Sequence, residues 1–159
     1  MRVECFTRVI AAADSIIDTV TLSMDRRQRS RLRVRLDRSG ETAALMLPRG
    51  TVLRGGDLLQ SEDGRVIEVI AAAEHLSIVV ATDSLLLGRV AYHLGNRHVP
   101  VEIGREWLYY RADHVLDAMV VSMGATVRHG TFPFEPEVGA YHHHSASGHG
   151  HESVLRSHG

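Results

Sequence analysis

Residues 75–132, HLSIVVATDSLLLGRVAYHLGNRHVPVEIGREWLYYRADHVLDAMVVSMGATVRHGTF, decide the fold. Ile78, Val79 and Val80 make the stretch His75 to Ala81 a buried-strand run. Thr82 or Asp83 can cap a helix carrying Leu86, Leu87, Val90, Ala91 and Leu94, and Gly95-Asn96 supplies a stop. Residues 98–103 and 106–111 read as two strands joined by a turn at Gly104. Asp113 can cap a second helix, with Leu116, Met119, Val120 and Met123 at helical spacing and Gly124 ending it; 125–132 return as a strand. The order β-α-β-β-α-β within about 60 residues is the split βαβ, ferredoxin-like pattern.

Toward the N-terminus the rhythm changes. Leu32, Val34 and Leu36 alternate with Arg31, Arg33 and Arg35, the period-2 signature of a half-buried strand. Short apolar runs at 42–47 and 65–71 are separated by turn chemistry at 37–40, 48–50, 54–57 and 62–64. Strands punctuated this often predict a small sandwich or barrel. Toward the C-terminus, GAYHHHSASGHGHESVLRSHG lacks apolar periodicity and reads as a disordered segment. The expected architecture is therefore α+β: an all-β domain over 1–74, a ferredoxin-like domain over 75–138 and a flexible His-rich tail over 139–159.

Composition narrows the function. The chain has 159 residues and a net charge of -1, which argues against bulk electrostatic binding to nucleic acid. No run approaches the roughly 20 apolar residues of a membrane helix, and no basic-then-apolar leader opens the chain. One cysteine, Cys5, excludes an internal disulfide framework and an all-thiolate zinc knuckle. The expected compartment is the cytoplasm. There is no phosphate loop, no G-x-S-x-G elbow and no H-E-x-x-H, so an enzyme is not expected.

What is abundant is imidazole. All 11 histidines lie from His75 onward, whereas 12 of the 18 arginines lie in residues 1–74. Imidazole suits zinc, copper, iron and nickel, and no soft sulfur competes nearby. His142, His143, His144, His149, His151 and His158 sit on a Gly- and Ser-containing backbone able to fold round an ion; an unselected low-complexity end is the bland alternative. His98 follows a helix end. Alone it is no metal site, and it becomes one only if a twofold axis duplicates it. His114 follows the cap Asp113, where the helix-end field disfavours the imidazolium and leaves a ligand-competent ring. His93, in the last turn of the other helix, reads as structural. His75 and His129 earn no special claim. Arg26, Arg27, Arg29, Arg31, Arg33 and Arg35 form the densest charge cluster, either a solvated strand face or a surface for an acidic partner or phosphate.

At AYHLGNRHVPVEI (91–103), DHVLDAMVVSMGATV (113–127) and FPFEPEVGAYHHH (132–144), in that order and spacing, the chain closely resembles the urease accessory protein E family, the nickel metallochaperones. The resemblance runs over essentially the whole chain; the RQRSRLRVRL stretch resembles the family's N-terminal peptide- or protein-binding domain. It implies that His98, the histidine of GNRH, comes from both subunits of a homodimer to bind Ni(II), and that His114 matches a secondary metal position. Some relatives carry another histidine two residues earlier, where this chain has Ala112. It further implies tail histidines in the metal shell, and transfer of nickel to the urease apoenzyme alongside other accessory proteins including a GTPase. Zn(II) or Cu(II) is expected to bind the same nitrogens in vitro. Two other readings stand beside it: a histidine-rich metal storage or detoxification protein without delivery, and an RNA- or protein-binding adaptor using the arginine strand.

Overall fold

The computed structural model describes residues 3–139, so the tail expectation for 140–159 lies outside the described residues. Six strands build the first sheet: β1 (Glu4–Ile10), β2 (Asp18–Leu22), β3 (Arg31–Arg35), β4 (Thr42–Met46), β5 (Leu58–Ser61) and β6 (Val66–Ala71), in the order β2-β6-β5-β1-β4-β3. The pairs β1–β4 and β2–β6 are parallel and the rest antiparallel. A one-turn helix, α1 (Met24–Arg27), separates β2 from β3. Gly40, Gly50, Gly56 and Gly64 all take positive φ, as the expected turns require. Phe6, Leu22, Leu45, Leu53, Leu59 and Ile67 form the centre of the buried core.

The second sheet comprises β7 (Ala73–Val80), β8 (Glu102–Ile103), β9 (Trp107–Arg111) and β10 (Thr126–Pro133) in the antiparallel order β10-β7-β9-β8. Helices α2 (Ser84–Asn96) and α3 (His114–Ser122) connect β7 to β8 and β9 to β10. Both helices are capped as their sequences demand. The Asp83 carboxylate accepts from Leu85 N and Leu86 N, and Asp113 from Val115 N and Leu116 N. Leu87, Val90 and Leu94 of α2 and Val120 of α3 bury against Val79, Leu108 and Tyr110 of the sheet. Burial along β7 is one-sided at its end: Val79 is buried, Ile78 half-buried and Val80 exposed. The run Ile78–Val80 is thus an alternating strand rather than one buried on both faces.

The stretch 98–103 is mostly not strand. Only Glu102–Ile103 pair with β9, because the chain first turns at His98 and then passes Pro100, which has no N–H to give a ladder. A second departure concerns the arginine cluster. Arg27 is 0% exposed, and its guanidinium donates to the Leu22, Leu53 and Phe134 carbonyls and to Glu135 Oε1. It therefore joins the two sheets rather than the solvated charged face. Met24, Leu76 and Phe134 form a small apolar core beside it. Arg54 donates to the Pro136 carbonyl and Asp25 pairs with Arg111, so the junction is polar as well as apolar.

Candidate functional site: imidazoles of the second sheet and its helices

α2 ends in a Schellman turn built around His98. His98 N donates to Gly95 O at 2.9 Å and Val99 N to Leu94 O at 3.1 Å. Val99 then packs against the core that contains Leu94, the hydrophobic contact that usually accompanies this motif. The position between them needs a left-handed backbone, and His98 supplies it at φ 56. Among the described residues it is the one non-glycine with positive φ. Glycine is the usual occupant of such a site, so a histidine there holds a costlier conformation. The ring is exposed at the end of α2. The sequence located the helix end but expected Gly95-Asn96 to form it; the helix runs through Asn96 and turns two residues later.

His114 is the first residue of α3 and is exposed beside the Asp113 cap. His93 is exposed in the last turn of α2, edge-on to Tyr92. No three His, Cys, Asp or Glu side chains gather round one point among the described residues. His98 follows the end of α2 and His114 opens α3, and His142, His143, His144, His149, His151 and His158 lie outside the described residues.

The sequence missed one convergence. His129 on β10 stands opposite Ser77 on β7, and His75 lies two residues further along the same face. Their rings stack with centroids 5.7 Å apart. His129 Nε2 is 2.7 Å from Asp117 Oδ2, while Asp117 Oδ1 accepts from Ser77 Oγ at 2.6 Å and Tyr110 OH at 2.7 Å. Burial pushes the Asp117 carboxyl up, but the bonds from Ser77, Tyr110 and His129 outweigh it and leave the pKa lowered. Burial and the Asp117 charge push the Tyr110 hydroxyl well above its ordinary range, keeping it a donor. The registers of β7 with β10 and β9, together with Asp117 on α3, bring these residues together, which no local motif announces.

On the other sheet, β3 is an edge strand with Arg31, Arg33 and Arg35 exposed. Arg26 donates to the Arg33 carbonyl and so occupies part of that edge.

Fold and surface together define a two-sheet, strand-rich protein that displays imidazoles on one half and arginines on the other. The model of the UreE urease accessory protein N-terminal domain matches residues 6–72, and that of the C-terminal domain matches 74–159. The chain belongs to the UreE urease accessory protein family. It is 54% identical over 123 residues to the urease accessory protein UreE of Proteus mirabilis, covering 77% of this chain and 76% of that one. The UreE of Pseudomonas putida is 53% identical over 136 residues, 85% of this chain and 84% of its own. The UreE of Paraburkholderia xenovorans is 52% identical over 137 residues, 86% of this chain; these span only 60% of that longer relative. The relatives are named as accessory proteins rather than enzymes. No helix among the described residues is long and apolar enough to cross a membrane.

Proposed function

We infer that this chain is a nickel-carrying chaperone that hands Ni(II) to the urease apoenzyme. The observation that carries the reading is His98 in the left-handed turn ending α2, an exposed imidazole on a backbone that would favour glycine. One imidazole is too few for a carrier site, and a homodimer with His98 near its axis doubles it. Exposed Leu85 and Tyr92 share a stripe of α2 with Gly88 and Gly95, whose Cβ positions open onto free space. That stripe leads directly to His98 and suits close packing of two copies. His142, His143, His144, His149 and His151 would complete a nitrogen-rich shell and, on leaving it, open the ion for transfer; His114 would serve as an auxiliary ligand. Nickel accepts imidazole nitrogen, and copper and zinc would compete for the same donors.

The βαββαβ order and 75–138 span support reading the second half as a ferredoxin-like metal-binding domain. The first, over 1–74, would dock a protein partner on the arginine-bearing edge β3, within an assembly of urease apoenzyme and the other accessory proteins including the GTPase. A cytoplasmic setting fits a single unpaired Cys5.

Nickel calorimetry with measured oligomeric mass tests this on the wild type, His98→Ala and a chain ending at Ala140. The expected result is a dimer whose tightest site disappears in His98→Ala. A tightest site untouched by that substitution, but removed with residues 141–159, would leave storage in the tail as the better reading.

A further inference from the structure

We propose that His75 and His129 form a second divalent-metal site on the paired strands β7 and β10, with Asp117 orienting His129. The site is separate from His98 and requires no second copy of the chain.

Asp117 anchors the site. Ser77 Oγ and Tyr110 OH both donate to its Oδ1, at 2.6 and 2.7 Å, so it stands as an acceptor fixed from the other oxygen. The His129 Nε2 that lies 2.7 Å from it must therefore carry the hydrogen. In a neutral ring this assigns the lone pair to Nδ1. A carboxylate that takes one ring N–H and turns the other nitrogen outward is the usual arrangement behind a metal-ligating histidine, where it fixes the tautomer and raises ligand basicity.

His75 supplies the second nitrogen. Two imidazoles on one ion, each bonded at about 2.0–2.1 Å, have ring centroids about 5 to 6 Å apart. The observed separation is 5.7 Å with the rings stacked at 29°, so the spacing suits one ion once the exposed His75 ring rotates to turn a nitrogen toward Nδ1 of His129. Both rings are exposed, so water can fill the remaining coordination positions and exchange quickly. The backbones beneath them are fixed: His75 O accepts from Ala112 N, and β7 and β10 are paired in unbroken register from Thr126 to Pro133. A site of two imidazoles and water suits a borderline cation such as Ni(II), Cu(II) or Zn(II) rather than an oxygen-seeking one such as Mg(II) or Ca(II).

The test uses Ni(II) as a paramagnetic probe on the full chain, read through the imidazole nitrogen and proton resonances. The metal-free chain is expected to show His129 as the Nε2–H tautomer. On titration, His75 and His129 should broaden together at the same free Ni(II). His75→Ala should weaken the response at His129 at least 10-fold, and Asp117→Asn should weaken it 10- to 100-fold. His98→Ala should leave it unchanged, which separates this site from the carrier site. A His129 response indifferent to His75→Ala, or an Nδ1–H tautomer in the metal-free chain, would overturn the proposal. His75 is exposed, so its substitution leaves the fold intact and the result readable.

Discussion

The Arg27 guanidinium lies 3.3 Å from the Glu135 carboxylate across a sequence separation of 108 residues. The arginine is fully buried and the glutamate about one-third exposed. Burial lowers the Arg27 pKa, while Glu135 raises it, so the ion is kept charged at the junction of the sheets by its acceptors. Arg27→Ala strands the Leu22, Leu53 and Phe134 carbonyls together with Glu135, and should cost about 3 kcal/mol or more. Glu135→Gln keeps an acceptor in place and should cost less. Urea denaturation of the two variants checks the ranking; equal losses would mean that the charge pair, not the carbonyls, carries the junction.

His98 should show a conflict between stability and ligation. His98→Gly relieves the left-handed conformation and should stabilise the chain by up to about 1 kcal/mol, or about 2–4 °C in Tm. The same change should remove the tightest nickel site. His98→Ala, which keeps a Cβ in the turn, should lose nickel without gaining stability. Thermal denaturation of metal-free protein beside calorimetry separates the two effects, and a destabilised His98→Gly would show that the imidazole itself supports the fold.

What could be read in the sequence was chemistry confined to a few neighbouring residues. Asp83 and Asp113 announce their helices because each cap bonds amides only two and three residues ahead. The positive-φ glycines did the same for the turns of the first sheet. Arg27 could not be read this way. The arginines from Arg29 on face solvent, whereas all but one of the acceptors of Arg27 come from residues 53, 134 and 135. The pairing of His75 with His129 depends likewise on strand register. His98 was legible as a candidate ligand through its motif, but its backbone was not, because the turn is set by the contact of Val99 with the core around Leu94.

The acid side of the stability profile should be governed by carboxyls held low in the folded state. Burial pushes Asp18 up, but bonds from the Arg38, Ser39 and Thr19 amides outweigh it and leave it far below its ordinary range. Asp117 and Asp25 are lowered too. For such groups the folded pKa lies below the unfolded one. Their stabilisation is complete above the unfolded value, about 4, and is lost as pH falls through the folded value. Stability should therefore decline steadily below about pH 5. Asp18→Asn, which cannot titrate, should lower stability at neutral pH and flatten the decline. Urea midpoints from pH 7 to pH 3 provide the measurement, and parallel profiles would remove Asp18 from the account.

Gly104 gives the last prediction, through the single tryptophan. A Cβ at Gly104 would stand 2.1 Å from the Trp107 ring, well inside any real contact. The ring is also stacked on Tyr109, at a centroid distance of 4.2 Å, and Tyr109 on Phe132 at 6.0 Å. It therefore cannot yield without breaking an aromatic row along the sheet. Gly104 N donates to Trp107 O at 2.8 Å, so the backbone of the turn is held as well. Gly104→Ala should destabilise the chain by about 1–3 kcal/mol and shift the Trp107 emission as the ring leaves its stack. Trp107→Phe in the Gly104→Ala background should recover part of the loss, because the smaller ring opens the space the methyl needs. An unchanged emission spectrum and unchanged stability in Gly104→Ala would mean that the turn shifts freely, and that the close approach of Gly104 to Trp107 does not constrain the β8–β9 hairpin.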